Sequence, residues 1–438
     1  MTARILIRGG CVLTLGAKTP NLPRGDLLIE DGRVAEVGPG LRARDAELVD
    51  ATEAIVMPGF VDTHRHTWRS LFRNLGGGAS SGEASAALTG DRFHPEDVYA
   101  AILIGLLGAV EAGITTVVDW CDVMLDDPAA DAALQAHADA GLRTVLVRAP
   151  RDSAPEHDTR RLLARLTEAA GPSTTIASGS SELGSDVDRV AGDWAVAREL
   201  GLRIHAHPGP GSWRPGAISD QAARALLDGD VTLVHPSGLE GADLDAIASS
   251  GAQVSLAPSS EMAGGLGPPP IQHLVDRDIR PGLGVDDERV APGDMFAQMR
   301  AVISWQHATV FDLKLAGKAG LPRLMSTRDV IRYGTVQGAR VAGLGGVTGS
   351  LEPGMQADVI VLRTDRPNVF PINDPIGAVV WGMDTSNVDW VFADGRVLMR
   401  EGVLQADVRR ARELATAARE RVAAATGPAV GAATRGEG

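Results

Sequence analysis

The chain runs to 438 residues, room for one large domain or two to three smaller ones. A formal net charge of −14 argues against nucleic acid or an anionic membrane as a partner. Two cysteines, Cys11 and Cys121, exclude a disulfide scaffold and suit a reducing cytoplasm; neither a signal peptide nor a run near the roughly 20 apolar residues of a membrane span is visible.

Residues 1–58 read as short strands and turns. Asp26-Leu27-Leu28-Ile29-Glu30, then Asp31-Gly32, then Arg33-Val34-Ala35-Glu36-Val37 is a hairpin signature, two strands around an Asp-Gly turn. It returns at Asp394-Gly395-Arg396-Val397, after the strand-like Trp390-Val391-Phe392. The two ends of the chain, 1–58 and 347–405, are therefore expected to form one small β-domain, with the middle inserted between them. In 59–346, strand-like runs at 59–64, 115–119, 144–148, 175–179, 203–207, 231–235, 253–258 and 280–286 alternate with alanine- and leucine-rich helical stretches such as 95–112 and 219–228. Eight strands alternating with helices predict an α/β fold of the (β/α)₈ TIM-barrel type. A doubly wound open sheet would carry a glycine-rich phosphate loop after its first strand, and the chain has none. The glycine-rich segment 76–82 reads as a mobile loop. Residues 406–438 read as a helix followed by a frayed tail.

The chemistry gathers at the strand ends. His64 and His66 stand one residue apart on the first strand and so share a face. His205 and His207 do the same on the fifth, where His207 lies nearer the mouth and is the favoured ligand, leaving His205 deeper. His235 ends the sixth strand, as a fourth ligand or as a proton carrier. Asp286 and Asp287 end the eighth, and Asp286 follows the inward phase better. In a barrel these ends form one mouth. Three histidines and an aspartate with an open position make a hydrolytic metal site, whose water ionises near pH 7.

Several of these features together resemble the metal-dependent amidohydrolase superfamily. They are Pro58-Gly59-Phe60-Val61-Asp62-Thr63-His64-Arg65-His66, the split β-domain, Gly349-Ser350-Leu351-Glu352-Pro353-Gly354-Met355-Gln356-Ala357-Asp358, and the residues of strands six and eight. The branch that looks closest holds cytosine deaminase-like, chlorotriazine hydrolase-like and methylthioadenosine/adenosylhomocysteine deaminase-like enzymes. The resemblance implies a barrel with a composite β-sandwich, and one divalent ion, Zn²⁺ by default with Fe²⁺ or Mn²⁺ as alternatives. It carries over His64, His66, His207 and Asp286 as metal ligands, and His235 with Asp286 as the groups that activate water. The fourth strand lacks the lysine that binuclear members carboxylate. After His207 the chain reads Pro-Gly-Pro-Gly-Ser-Trp, where deaminases of this branch place a glutamate.

Glu261 is the first candidate to replace that glutamate and Glu182 the second; Ser259 lies beside Glu261. Trp68, Trp120 and Trp213, with Trp305, are candidates to line an apolar or aromatic pocket, and Arg148 a candidate to bind an anionic group. The expected activity is metal-dependent hydrolysis at an electrophilic carbon of a small cyclic or heterocyclic C–N compound, carried out by a homo-oligomer. A non-hydrolytic lyase or isomerase and a non-catalytic metal-binding barrel are the alternative readings.

Overall fold

The computed structural model describes residues 4–75, 89–149, 156–180, 187–207 and 215–426. The first segment supplies β1 (Arg4–Val12), β2 (Leu22–Glu30), β3 (Arg33–Gly38), β4 (Glu47–Asp50) and β5 (Ala54–Pro58). The Asp-Gly turn between β2 and β3 places both residues at positive φ, Asp31 at 50° and Gly32 at 75°, as a type I′ hairpin turn requires.

The barrel follows as β6 (Phe60–Arg65), β7 (Ile114–Cys121), β8 (Arg143–Arg148), β9 (Thr174–Ser180), β10 (Arg203–Ala206), β11 (Val231–Val234), β12 (Gln253–Leu256) and β13 (Gly282–Leu283). Each strand pairs in parallel with the next. Strands covered by helices on the outside and packed on the inside are buried on both faces, and every residue of β6, β7 and β8 is buried, polar ones included. Closure joins the last strand to the first. Asp286 N donates to His64 O at 2.8 Å and His66 N to Asp286 O at 3.0 Å. Glycine makes this approach feasible: a Cβ on Gly284 would sit 2.7 Å from both His64 N and His64 O. The eighth strand is shorter than the expected 280–286, because the chain leaves the ladder after Leu283 and Asp286 turns to φ 63°.

The remainder returns to the first sheet as β14 (Val359–Arg363), β15 (Val388–Ala393), β16 (Arg396–Arg400) and β17 (Val403–Leu404). β14 runs antiparallel to β5, with Val359 opposite Pro58 and Arg363 opposite Ala54. One nine-stranded, mostly antiparallel sheet thus contains both ends of the chain, around an apolar core of its own that draws Ile7, Leu27 and Val56 from one end and Val361, Trp390 and Phe392 from the other. The second Asp-Gly turn, Asp394 at φ 54° and Gly395 at φ 72°, sits against the first. Ala357 joins them: its amide donates to Gly32 O at 2.8 Å, and its carbonyl accepts from Gly395 N at 3.0 Å.

The helix Pro95–Glu111 starts with proline and a capping box between His94 and Asp97. Gly113, at φ 77°, closes the turn after it. The C-terminal helix Val408–Thr426 packs on it, with Arg421 Nε donating to Asp97 Oδ1 at 2.9 Å. The helix expected at 219–228 occupies Ala217–Ala223 instead. The chain turns at Ala225, φ 56°, and Arg198 Nη2 captures Leu226 O at 2.6 Å. Among the described residues, no helix is long and apolar enough to cross a membrane.

Candidate active site

The barrel mouth brings five of the singled-out side chains together. His64 and His66 point inward from β6 and its end, His207 follows β10, His235 follows β11 and Asp286 follows β13. Ring centroids lie 5.0 Å apart for His64 and His66, 5.3 Å for His64 and His207, 5.0 Å for His64 and His235, and 5.1 Å for His207 and His235. Asp286 faces three of them: Oδ1 is 3.5 Å from His64 Nε2 and 3.4 Å from His66 Nε2, and Oδ2 is 3.5 Å from His235 Nε2. These separations exceed good hydrogen bonds, and all three Nε2 atoms are buried without a hydrogen-bond partner. One atom each from His64, His66 and His207 fall within 4.8 Å of one another, as do atoms of His64, His235 and Asp286. Buried nitrogens converging on a carboxylate with no hydrogen to share are what a divalent cation needs.

His235 and Asp286 both hold left-handed backbone, φ 51° and 63°. Such strain persists only where the surroundings impose it, and here it falls at two residues whose side chains enter the mouth. Asp287 faces away, taking Arg69 Nη1 at 3.0 Å and Arg289 Nη2 at 2.6 Å. Burial pushes the His64 imidazole down to about 4 and that of His207 well below its ordinary value, so both present neutral nitrogens at neutral pH. Burial pulls the same way on His235, but Asp286 and Glu261 outweigh it and raise its pKa. The Asp286 carboxyl is held well below the usual range, because His235, His64 and His66 outweigh its desolvation.

The remaining candidates fall in different places. Trp120 lies on the cluster, its ring 5.2 Å from His207 and 6.1 Å from His64. Gly179 makes room for it, since a Cβ there would approach the indole to 3.0 Å. Trp68 belongs to the core instead, 3% exposed and edge-on to Phe93. Trp305 packs half-buried against the core from the helix Met295–Leu315. Arg148 is buried at the end of β8, with Nη1 3.5 Å from Thr159 Oγ1. His205 is fully buried below His207, and neither of its ring nitrogens has a hydrogen-bond partner. Glu261 binds His235 Nδ1 at 3.0 Å. Ser259 contributes its amide to Gln298 Oε1 at 3.1 Å. Glu182, Trp213 and the loop 76–82 lie outside the described residues.

Sequence reasoning missed Ser260, whose hydroxyl donates to Asp286 Oδ2 at 2.5 Å. It missed Asp122, which faces His66 Nδ1 at 3.3 Å and Arg69 Nη2 at 3.4 Å. It also missed Asp119, which accepts from Thr67 N at 2.9 Å and Thr67 Oγ1 at 2.5 Å, pinning the residue after His66. His137 backs Asp119, Nε2 to Oδ2 at 2.9 Å. Asp119 lies near the end of β7 and Asp122 directly follows it, and that position at a barrel strand end was the available signal.

Comparison with known proteins agrees with this geometry. The profile described as "Amidohydrolase family" matches residues 55–398. A 5'-deoxyadenosine deaminase of Methanothermobacter thermautotrophicus is 28% identical over 94% of this chain and 97% of its own length. A 5-methylthioadenosine/S-adenosylhomocysteine deaminase of Desulfitobacterium hafniense is 28% identical over 93% and 96%. Among solved structures, a mutant atrazine chlorohydrolase of Arthrobacter aurescens complexed with zinc and atraton superposes with a TM-score of 0.82 at 21% identity, covering 95% of this chain and all of that one. An adenosine deaminase of Xanthomonas campestris with bound zinc gives 0.77 at 19% identity, over 96% and 98%.

Proposed function

The chain belongs to the amidohydrolase family, and from that premise we propose a mononuclear site that hydrolyses a C–N bond, or an equivalent leaving group, on a small heterocycle. The enzyme is a metal-dependent hydrolase of non-peptide C–N bonds. One observation carries the reading of the site: His64, His66 and His235 turn buried, unpartnered Nε2 atoms toward Asp286, with His207 alongside. His64, His66, His207 and Asp286 would hold the ion. Zn²⁺ is the expected metal, and Fe²⁺ and Mn²⁺ suit the same donors. A single ion is proposed because the only lysines of the chain are Lys18, Lys314 and Lys318, none of them on a barrel strand. When bound, the ion supplies the Lewis acidity that makes water nucleophilic near neutral pH.

The side chains then divide the proton work. Asp286 accepts a proton from the attacking water, and Ser260 fixes Oδ2 by its hydrogen bond. His235 takes that proton at Nε2, which faces Asp286 Oδ2 at 3.5 Å, and delivers it to the leaving group. Trp120 backs the mouth beside His207, its ring 5.2 Å away. The catalytic barrel spans 59–346 in this reading, and the two unpaired cysteines suit a cytoplasmic setting.

The relatives named above are deaminases of 5'-deoxyadenosine and of 5-methylthioadenosine/S-adenosylhomocysteine, so these adenosine derivatives are the first substrates to try. The absence of any acid between Pro208 and Trp213 widens the search to aminopyrimidines, cyclic amides and halotriazines. Metal-loaded enzyme is incubated with this panel in oxygen-18 water. The expected outcome is release of ammonia or another leaving group, with one labelled oxygen per product molecule. A product without label would favour elimination or isomerisation. No turnover of any compound by enzyme carrying stoichiometric metal would overturn the hydrolytic reading.

A further inference from the structure

A proton carrier at the mouth needs one imidazole in one tautomer, and the contacts of His235 show what selects it. The ring is buried at the end of β11. Its Nδ1 lies 3.0 Å from Glu261 Oε1, and its Nε2 faces Asp286 Oδ2 at 3.5 Å. Glu261 Oε1 also accepts the Ala257 amide at 2.9 Å. That oxygen therefore serves as an acceptor, and the hydrogen of the Glu261–His235 contact resides on Nδ1. Nε2 is left with its lone pair turned to the mouth.

Glu261 itself has no exposed surface, so it does not meet a substrate. Its other oxygen, Oε2, is buried with no partner. A buried carboxylate is costly unless it is well used. The short helix Pro258–Ala263 carries it, anchored by Glu261 N donating to Ala257 O at 2.8 Å. The same helix sends Ser260 to Asp286. One segment thus orients both proton-handling groups of the site.

We propose that Glu261 is a positioning residue: it holds His235 with hydrogen on Nδ1 and Nε2 open, making His235 the proton carrier that an acid after His207 would otherwise provide. This assignment rests on the hydrolytic reading of the site. The glutamate reaches the reaction through an imidazole, which explains how the chain can carry Pro-Gly-Pro-Gly after His207 and still handle a leaving group's proton.

The test uses zinc-loaded enzyme with nitrogen-15 histidine. The His235 signals are identified by their loss in His235→Asn. The wild type should show the proton on Nδ1. Glu261→Gln, whose side-chain carbonyl still accepts, should keep that tautomer, and Glu261→Ala should lose it. With a substrate from the panel, Glu261→Ala should lower kcat about 10- to 100-fold with little change in KM, and Glu261→Gln should recover most of it. Metal content should stay stoichiometric in all three. A wild-type proton on Nε2, or an unchanged tautomer in Glu261→Ala, would overturn the proposal. Equal loss of metal and activity in both variants would also overturn it, by reducing Glu261 to a structural role. Should no compound turn over, the hydrolytic reading fails, while the tautomer measurement still decides the positioning claim.

Discussion

Between the two histidines of His64-Arg65-His66 stands a guanidinium with no exposed surface. Arg65 points away from the mouth, to Asp62 Oδ2 at 3.2 Å and Glu288 Oε2 at 2.9 Å. Arg73 Nε shares Glu288 at 2.8 Å, and Ser70 donates to it as well. The strand's alternation thus sets histidines toward the barrel mouth and locks the intervening residue to the eighth-strand loop. Removing one member of a buried ion pair strands its partner, so Arg65→Met should cost about 3–5 kcal/mol, read as a fall in unfolding midpoint. Burial pushes the Glu288 carboxyl up, but Arg65 and Arg73 outweigh that and bring it down to about 2. A lowered folded pKa stabilises above the unfolded value, 4.5, and the contribution is lost as pH falls toward 2. The wild type should therefore lose stability across that window more steeply than Glu288→Gln, as thermal melts at stepped pH would show. Asp286→Asn, which keeps a residue tolerant of positive φ, should abolish stoichiometric metal, whereas Asp287→Asn should retain it. The inward choice of Asp286 was open to sequence reasoning through strand phase. The Arg65–Glu288 pair was not, because more than two hundred residues separate its members and only closure of the barrel joins them.

At the scale of elements, the seam between β6 and β13 governs the site, since it sets the distance from His64 and His66 to Asp286. Gly284→Ala would drive a methyl into the His64 backbone. It should reduce bound metal and lower the melting temperature together; unchanged metal content in a stable variant would count against this account of the seam. The eight strands were legible because apolar runs of four to eight residues recur between helical stretches. Their ends were less so. β13 keeps only Gly282 and Leu283 in the ladder, and Asp286, at φ 63°, rejoins the first strand only as an isolated bridge to Arg65. Trp68 shows the opposite limit. Its place two residues past His66 suggested a substrate contact, yet the 3-10 helix Thr67–Phe72 carries its indole onto Phe93 and into the core. Sequence distance from a ligand says little once the chain bends.

For the molecule as a whole, the proposed cation, shared by residues at the ends of β6, β10 and β13, would tie distant parts of the barrel into one folding unit. Ligands that bind only the folded state stabilise by mass action, about 4 kcal/mol at a thousandfold excess over Kd. Stripping the metal with a chelator should lower the melting temperature of the wild type and leave that of His64→Ala unchanged. The split sheet was readable from the repeated Asp-Gly-Arg-Val, and the pairing of β5 with β14 has a consequence for how the chain is made. About 300 residues lie between Pro58 and its partner Val359. At roughly 5–20 residues per second, a ribosome takes about 15–60 s to cross them. Throughout that interval Ala54–Pro58 presents an unpaired apolar edge, the kind of surface that recruits other strands, so the yield of folded protein in a cell depends on the speed of translation and on what shields the nascent chain.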